Sequence, residues 1–165
     1  MKATNAIPNK IFTLENLKKQ VAAWRVNNKT IAFSNGCFDI LHEGHIFSLN
    51  QAASEADILI IGVNSDQSVK RLKGPERPIN NQISRSIMLS NLAVVDAVVV
   101  FEEDTPLALI QSLMPDVIVK GGDYTIDQIV GSKEVIANSG RVVINPIVEG
   151  FSTTGIIEQI KKSYS

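Results

Sequence analysis

The chain has 165 residues, 44% of them hydrophobic and 20% charged, which is enough for one compact domain with a substantial buried core. Its 16 Lys and Arg residues nearly balance 17 Asp and Glu residues, so the formal net charge is −1. That balance argues against a broadly cationic surface for binding nucleic acid or an anionic membrane. We therefore expect neither a nucleic-acid partner nor a membrane partner.

The cysteine content and the N-terminal segment indicate the cellular compartment of the protein. The single cysteine, Cys37, cannot form an internal disulfide and is typical of a protein from a reducing cytosol. The start, MKATNAIPNKIF, lacks the apolar stretch of a signal peptide. No apolar run approaches the roughly 20 residues that span a membrane as a helix. We expect a cytoplasmic location.

The first predicted element is a helix behind Thr13, which is a typical N-cap residue. Leu14, Leu17, Val21 and Trp24 then recur at spacings of three and four, the spacing of one helix face. We interpret residues 1–29 as a helical extension. Residues 30–165 are the predicted main domain.

Five short runs rich in Val and Ile are predicted to be strands. Their residues are apolar in succession, as expected of strands covered on both faces. They span residues 30–34, 58–63, 97–101, 117–119 and 141–145.

Helical patterns separate these runs. The first is predicted to bury Ile46, Leu49, Ala52 and Ala53, and the second carries an apolar stripe of Ile83, Ile87, Met88 and Leu92. Later helices are predicted to begin at Thr105-Pro106 and at Ser152.

This alternation predicts an α/β fold: a single Rossmann-like, doubly wound domain with a central five-stranded parallel sheet and helices on both faces. Ligands of such sheets bind beyond the carboxyl ends of the strands. The loops that leave the strands, and the loop before the last helix, should therefore contain the functional residues.

The loop after the first predicted strand reads SNGCFDILHEGH and contains His42 and His45, three residues apart, where the next helix begins. Backbone N–H groups and imidazoles at a helix N-terminus can both donate to phosphate. Gly36 and Gly44 allow the backbone to approach a ligand closely. One alternative is a capping histidine beside a solvated one, and another is zinc. The chain has only two His and one Cys, so no protein-held metal site is predicted.

Five cationic side chains lie between residues 70 and 85, after the second predicted strand. A charge run alone is usually a solvated loop. This run, however, follows a predicted strand at the edge of the sheet where ligands bind, and a phosphate-bearing ligand there needs cations nearby. We assign Lys73 and Arg85 to catalysis, since a guanidinium can bind phosphate through two N–H groups. Arg77, Asn64 and Asp66 are assigned to the substrate.

Two further loops carry candidate residues. Lys120 and Asp123 flank a glycine pair after the fourth predicted strand, which is either a surface turn or a nucleotide-binding loop. Ser152, Thr153 and Thr154 precede the last helix, where hydroxyl and backbone N–H groups can reach phosphates. Ser152 is also a typical N-cap, and the two roles are compatible.

The segment NGCFDILHEGH resembles the GxFDxxHxGH element of the cytidylyltransferase-like nucleotidyltransferases. The resemblance implies that His42 and His45 contact the triphosphate and stabilise the transition state. It also implies that the STT element lines the nucleotide phosphates. The full set of residues assigned to the nucleotide is Asn35, Gly36, Phe38, Asp39, Gly44, Lys120, Gly121, Asp123, Ser152, Thr153 and Thr154.

Within that family, the blocks VNSDQSVKRLKGPERPIN, PDVIVKGGDY and EGFSTTGII are most similar to the adenylyltransferases of bacterial heptose activation. This resemblance implies transfer of AMP from ATP, with Mg²⁺, to D-glycero-β-D-manno-heptose 1-phosphate. The products are ADP-heptose for lipopolysaccharide and pyrophosphate. The expected partners are ATP and a sugar 1-phosphate, and the expected assembly is a homodimer.

Two alternatives stay open at this point. One is a cytidylyltransferase acting on glycerol 3-phosphate or another small phosphate ester, although such enzymes carry an arginine shortly before the STT element and residues 145–150 contain none. The other is a non-catalytic nucleotide sensor or a receiver domain. A receiver would need clustered acidic residues after its first strand. The GxGxxG and GxxxxGK[ST] fingerprints are absent, which disfavours dehydrogenases and P-loop enzymes.

Overall fold

The computed structural model describes residues 10–122, 124–146 and 150–164. Within them six strands form one sheet. In chain order these are β1 Ile11–Phe12, β2 Ile31–Gly36, β3 Ile58–Asn64, β4 Ala97–Phe101, β5 Val117–Gly121 and β6 Arg141–Asn145. Every pair is parallel, and the spatial order is β1-β4-β3-β2-β5-β6.

The predicted α/β class and parallel sheet are confirmed, but the predicted number of five strands is wrong. The sixth strand is β1, a two-residue segment that pairs with β4 at one edge of the sheet. A segment this short shows no periodicity that a sequence pattern could reveal.

Helices connect the strands and cover both faces of the sheet. The described helices are α1 Leu14–Val26, α2 Glu43–Ala53, α3 Asp66–Lys73, α4 Gln82–Ser90, α5 Leu107–Leu113, α6 Ser132–Ala137 and α7 Thr153–Tyr164, with a short 3₁₀ helix at Ile126–Gln128. None of these helices has the length and apolar character needed to cross a membrane.

The hydrophobic core has two layers, one on each face of the sheet. On one face the strands pack against α1, α5 and α6, with Leu17 of α1 fully buried. On the other face they pack against α2 and α4, with Leu49 and Leu89 at the centre. The described part of residues 1–29 thus shares the core of the main domain, and the boundary at residue 30 stays a prediction.

Helix α4 exposes part of its predicted apolar stripe. Ile83 is 67% exposed and Ile87 46% exposed, whereas Arg85 and Leu89 are fully buried. The two isoleucines of the predicted stripe are therefore not buried. In α2 the predicted burial of Leu49 and Ala52 is confirmed and Ala53 is half-buried, but the predicted burial of Ile46 is wrong, since it is 36% exposed. Apolar periodicity failed in α4 because the helix faces inward with a guanidinium that finds several protein acceptors there.

Strand β2 lies at the point where the order of the sheet reverses. The chain leaves β2 for β3 on one side, while β5 pairs with β2 on the other side. In open parallel sheets a crevice forms at such a point, beyond the carboxyl ends of the strands. Asn35-Gly36 and Lys120-Gly121 end the two strands that flank this crevice.

Candidate active site

A cleft of about 720 Å³ opens at the carboxyl ends of β2, β3 and β5. Its volume lies within the usual range for small-molecule sites. The predicted site residues that line it are Asn35, Gly36, Phe38, Asp39, His42, Gly44, His45, Asn64, Lys73, Arg77, Lys120, Gly121, Ser152, Thr153 and Thr154. Arg85 and Asp66 do not line it, and Asp123 lies outside the described residues.

The two histidines stack face to face at the start of α2. Their ring centroids are 3.8 Å apart and their planes differ by 24°. Phe38 packs against His45 at a centroid distance of 5.3 Å. The Nδ1 atoms of both imidazoles are buried and have no hydrogen-bond partner among the described residues. Packing therefore positions the pair and leaves hydrogen-bonding capacity unused.

Both imidazoles resist protonation in the free protein. Burial, assisted by the neighbouring His42, lowers the pKa of His45 to about 4. Burial also lowers the pKa of His42. At neutral pH the pair is uncharged, and each ring offers one N–H donor. A polyanion bound against the rings would favour their protonation, because a nearby opposite charge stabilises the imidazolium.

Gly44 lets the starts of α2 and α7 approach each other. A Cβ atom at this position would lie 3.2 Å from His42 Nδ1 and 3.2 Å from the Cβ of Phe151. The room that the sequence predicts for a ligand beside Gly44 is thus occupied by these two side chains. Thr153 Oγ1 also donates to the carbonyl of Ile40, at 3.3 Å.

Cations collect in the cleft without free carboxylates to neutralise them. Lys73 is exposed at the end of α3, and Lys120 Nζ lies 3.4 Å from the carbonyl and side-chain oxygens of Asn35. Burial lowers the pKa of Lys120, and the charge of Lys73 lowers it further. Asp104 lines the cleft but accepts from Arg71 Nε at 2.6 Å. The cleft is accordingly suited to an anion, although the chain as a whole carries a net charge of −1.

Asp39 is the other carboxylate of the described cleft, and it faces the protein. Its side chain is fully buried; Oδ2 accepts from Arg77 Nε at 2.5 Å, and Oδ1 accepts from the N–H groups of Ile79 and Asn80 at 2.8 and 2.9 Å. Burial alone would raise the pKa of Asp39, but these hydrogen bonds more than offset it and lower the pKa. The sequence predicts a nucleotide contact for this carboxylate, whereas the structure turns it inward.

Arg85 is also turned inward. Its side chain is fully buried, with Nε donating to the carbonyl of Asn80 at 2.9 Å, Nη1 to the carbonyl of Cys37 at 2.5 Å and Nη2 to Asp66 Oδ1 at 2.8 Å. A guanidinium removed from water needs such partners. The sequence predicts phosphate contacts for Arg85 and a substrate contact for Asp66. In the structure the two residues bond to each other outside the cleft.

Comparison with known proteins agrees with this geometry. A family model described as cytidylyltransferase-like matches residues 33–159, which contain all the strands except β1 and β2's first residues. The chain belongs to the cytidylyltransferase-like family. It is a nucleotidyltransferase, as the sequence predicts.

The chain is also similar to curated relatives and to solved structures. The chain is 54% identical to the bifunctional protein HldE of Mesorhizobium japonicum, covering 92% of this chain and 30% of that one. For HldE of Rhodospirillum rubrum the identity is 49%, with coverage of 94% and 32%. The chain thus spans about a third of the length of these curated relatives. The lipopolysaccharide core biosynthesis protein from Thermoplasma volcanium has a TM-score of 0.59 and 30% identity, covering 73% of this chain and 97% of that chain.

Sequence reasoning missed the apolar part of the cleft of this cytidylyltransferase-like protein. Tyr124 and Phe151 line it and are 46% and 39% exposed, which is high for aromatic side chains. The ring of Tyr124 packs over Gly122, where a Cβ would lie 2.7 Å from it. The available signal was an aromatic residue close after a glycine, in a loop at the carboxyl end of the sheet. The other apolar residues of the lining are Leu49, Leu72, Pro106, Ile118, Ile129, Val130 and Pro146.

Proposed function

We propose that the protein transfers AMP from ATP to D-glycero-β-D-manno-heptose 1-phosphate, giving ADP-heptose for lipopolysaccharide and pyrophosphate. The observation that carries the proposal is the cleft itself, where the stacked histidines lie among Lys73, Arg77 and Lys120 and the described carboxylates are bonded to arginines. The names of the relatives, HldE and a lipopolysaccharide core biosynthesis protein, support the choice of a heptose acceptor.

The proposed reaction is a direct displacement at the α-phosphorus of ATP. An oxygen of the acceptor phosphate is already an anion, so it attacks without a general base. A new bond forms between that oxygen and the α-phosphorus, and the bond from the α-phosphorus to the bridging oxygen of the leaving pyrophosphate breaks. The protein has to align the two phosphates and offset the charge that builds up between them. Cys37 is not needed as a nucleophile.

We assign the triphosphate to the region where α2 and α7 begin. Both helices direct the positive ends of their dipoles towards this region, which favours phosphate. His42 and His45 hydrogen-bond to phosphate oxygens as charge develops, and Lys120 adds a cation from β5. Ser152 caps α7, since its Oγ accepts from the N–H of Gly155 at 3.0 Å. Thr154, one of the cleft residues at the start of the helix, has a hydroxyl for the phosphates.

Nucleotidyltransferases of this kind use a divalent metal ion with the nucleotide, and we propose Mg²⁺ bound to ATP as part of the substrate. Phosphate oxygens and water would hold most of its coordination positions. In residues 10–122, 124–146 and 150–164, no three His, Cys, Asp or Glu side chains come together as a metal-binding group.

A substrate screen tests the proposed function. Pyrophosphate release is measured with heptose 1-phosphate and each of ATP, CTP, GTP and UTP, and again with glycerol 3-phosphate as acceptor. Turnover with ATP and heptose 1-phosphate is the expected result. Preferred turnover of CTP with glycerol 3-phosphate would establish the cytidylyltransferase instead, and nucleotide binding without any turnover would establish a sensor. The expected homodimer stays a prediction, which sedimentation velocity would test.

A further inference from the structure

Arg77 reaches the cleft with one edge of its guanidinium held and the other edge free. Its Nε donates to the buried Asp39, and only 14% of its side chain is exposed. The hydrogen bond of this side chain uses Nε, and no hydrogen bond joins Nη1 or Nη2 to another described residue, yet Arg77 lines the cleft. A guanidinium held in this way can bind a phosphate through two parallel N–H groups. Little side-chain entropy remains to be lost on binding, because the side chain is already held.

The position of Arg77 favours the acceptor phosphate over the triphosphate. Arg77 lies between α3 and α4, in the segment that follows β3, whereas Lys120 lies on β5, on the far side of β2. Lys73 also lines the cleft, at the end of the helix that precedes Arg77, so both cations belong to the segment that follows β3. Attack in line requires the acceptor and the leaving pyrophosphate to approach the α-phosphorus from opposite sides.

We propose that Nη1 and Nη2 of Arg77 bind the phosphate of the acceptor, and that Asp39 is the positioning residue that holds Arg77 in place. The inference rests on the proposed function, which supplies an acceptor that carries a phosphate. It also explains why Asp39, which touches no open part of the cleft with its carboxylate oxygens, lies in the same loop as His42. One loop thereby sets the position of both the acceptor cation and the histidine pair.

Two variants of Arg77 and one of Asp39 test the proposal. Arg77→Ala removes the phosphate contact and leaves Asp39 buried without its cation. Arg77→Lys keeps the charge but cannot hold Asp39 and bind a phosphate with two N–H groups together. Asp39→Asn keeps an oxygen for the N–H groups of Ile79 and Asn80 and loses only the bond to Arg77. The matched control is Arg141→Lys, whose arginine bonds to Glu55 at 2.6 Å at the start of β6, away from the cleft.

Steady-state kinetics with both substrates is the main measurement. We expect the KM for heptose 1-phosphate to rise about 10–100-fold in Arg77→Ala, on the order expected for a lost hydrogen bond to a charged group, and about tenfold in Arg77→Lys. The KM for ATP should change less than about threefold in both. Asp39→Asn should match Arg77→Lys, and the double variant Asp39→Asn with Arg77→Ala should be no worse than Arg77→Ala alone. A merely structural role for Asp39 would instead add its own defect in the double variant.

Binding of β-D-mannose 1-phosphate, measured by ³¹P NMR beside a non-hydrolysable ATP analogue, separates this inference from the proposed function. Binding that weakens in Arg77→Lys supports the acceptor site even if the wild-type protein turns over no sugar phosphate, in which case only the proposed function fails. An acceptor KM that stays within about threefold of wild type in Arg77→Lys overturns the inference, as does an equal rise in the KM for ATP. Absence of any binding by the wild-type protein also overturns it.

Discussion

The two sides of the cleft are built differently. On one side, which we call the network side, residues 37–39 and 77–85 are tied together by the buried side chains of Asp39 and Arg85. On the other side, which we call the α7 side, residues 150–164 present α7, and no described residue of this helix is fully buried. A hydrogen bond joins Thr153 of the α7 side to the carbonyl of Ile40, the residue directly after Asp39 of the network side.

This difference indicates where the site is organised before ligand binds. Segments with few buried contacts open at lower free energy than segments tied into the core. The network side should therefore keep its geometry in the free protein, and the α7 side should gain stability from contacts with the triphosphate. The histidine pair lies between the two sides, since Gly44 adjoins both His42 and Phe151.

The largest expected effect comes from removing the imidazole at the junction of the two sides. We expect His45→Ala to lower kcat about 10²–10³-fold, the usual cost of losing one donor to developing charge. The fold should remain intact, because the Nδ1 of His45 has no protein partner to lose, although loss of the ring contacts with His42 and Phe38 should lower the melting temperature modestly. Glu43→Ala, an exposed neighbour in the first turn of α2, is the control. Unchanged turnover in His45→Ala would refute the assigned role.

Removing the central guanidinium of the network side should give the next largest effect. Arg85→Ala leaves the carboxylate of Asp66 and two carbonyls without a donor, and we expect it to lower the free energy of unfolding by about 3 kcal/mol. Arg141→Ala breaks a carboxylate pair of similar length whose arginine is 54% exposed, and should cost less than about 1 kcal/mol. Urea unfolding of both variants measures the difference. Equal losses would show that the network side is no more firmly held than the surface.

Acid should destabilise the free protein through protonation of His45, which lies between the two sides of the cleft. The pKa of His45 is about 4, below the ordinary value of about 6.5, so the unfolded chain binds more protons between these values. The free energy of unfolding should therefore fall as the pH is lowered from about 6.5 to 4, by on the order of 2 kcal/mol after allowance for partial solvent screening. His45→Gln should remove most of this slope. ATP should raise the pKa of His45, which NMR titration would detect, and an unmoved pKa would contradict the assigned phosphate contact.

The smallest effect is expected at the start of the α7 side. Ser152→Ala removes the N-cap of α7 and should cost about 1 kcal/mol of local stability. Hydrogen exchange should then accelerate in the amides of α7. Bound ATP should slow this exchange again. Thr13→Ala removes the corresponding cap of α1, whose Oγ1 accepts from Asn16, and serves as the control because ATP should not restore its protection. Equal protection of α7 with and without ATP would contradict the expectation that the α7 side gains stability from the triphosphate.

The sequence allowed the fold and the outline of the cleft to be predicted, because both depend on local signals. Runs of Val and Ile marked five of the six strands, and the carboxyl-end rule brought Asn35, His42 and Lys120 to one edge of the sheet. The inward orientation of Asp39 and Arg85 could not be predicted. Their partners lie about 20 to 50 residues away or are backbone groups, and residue type alone does not distinguish a cation for phosphate from one for a buried carboxylate.

The gap beside Gly44 limits what can replace this residue. A methyl group there would meet the imidazole of His42 on one side and the first carbon of the Phe151 side chain on the other, each at 3.2 Å. Even alanine would force one of these neighbours to shift by a few tenths of an ångström, and a larger residue would drive the imidazole and the last helix apart. The absence of a side chain at Gly44 thus allows His42 and Phe151 to lie as close together as they do.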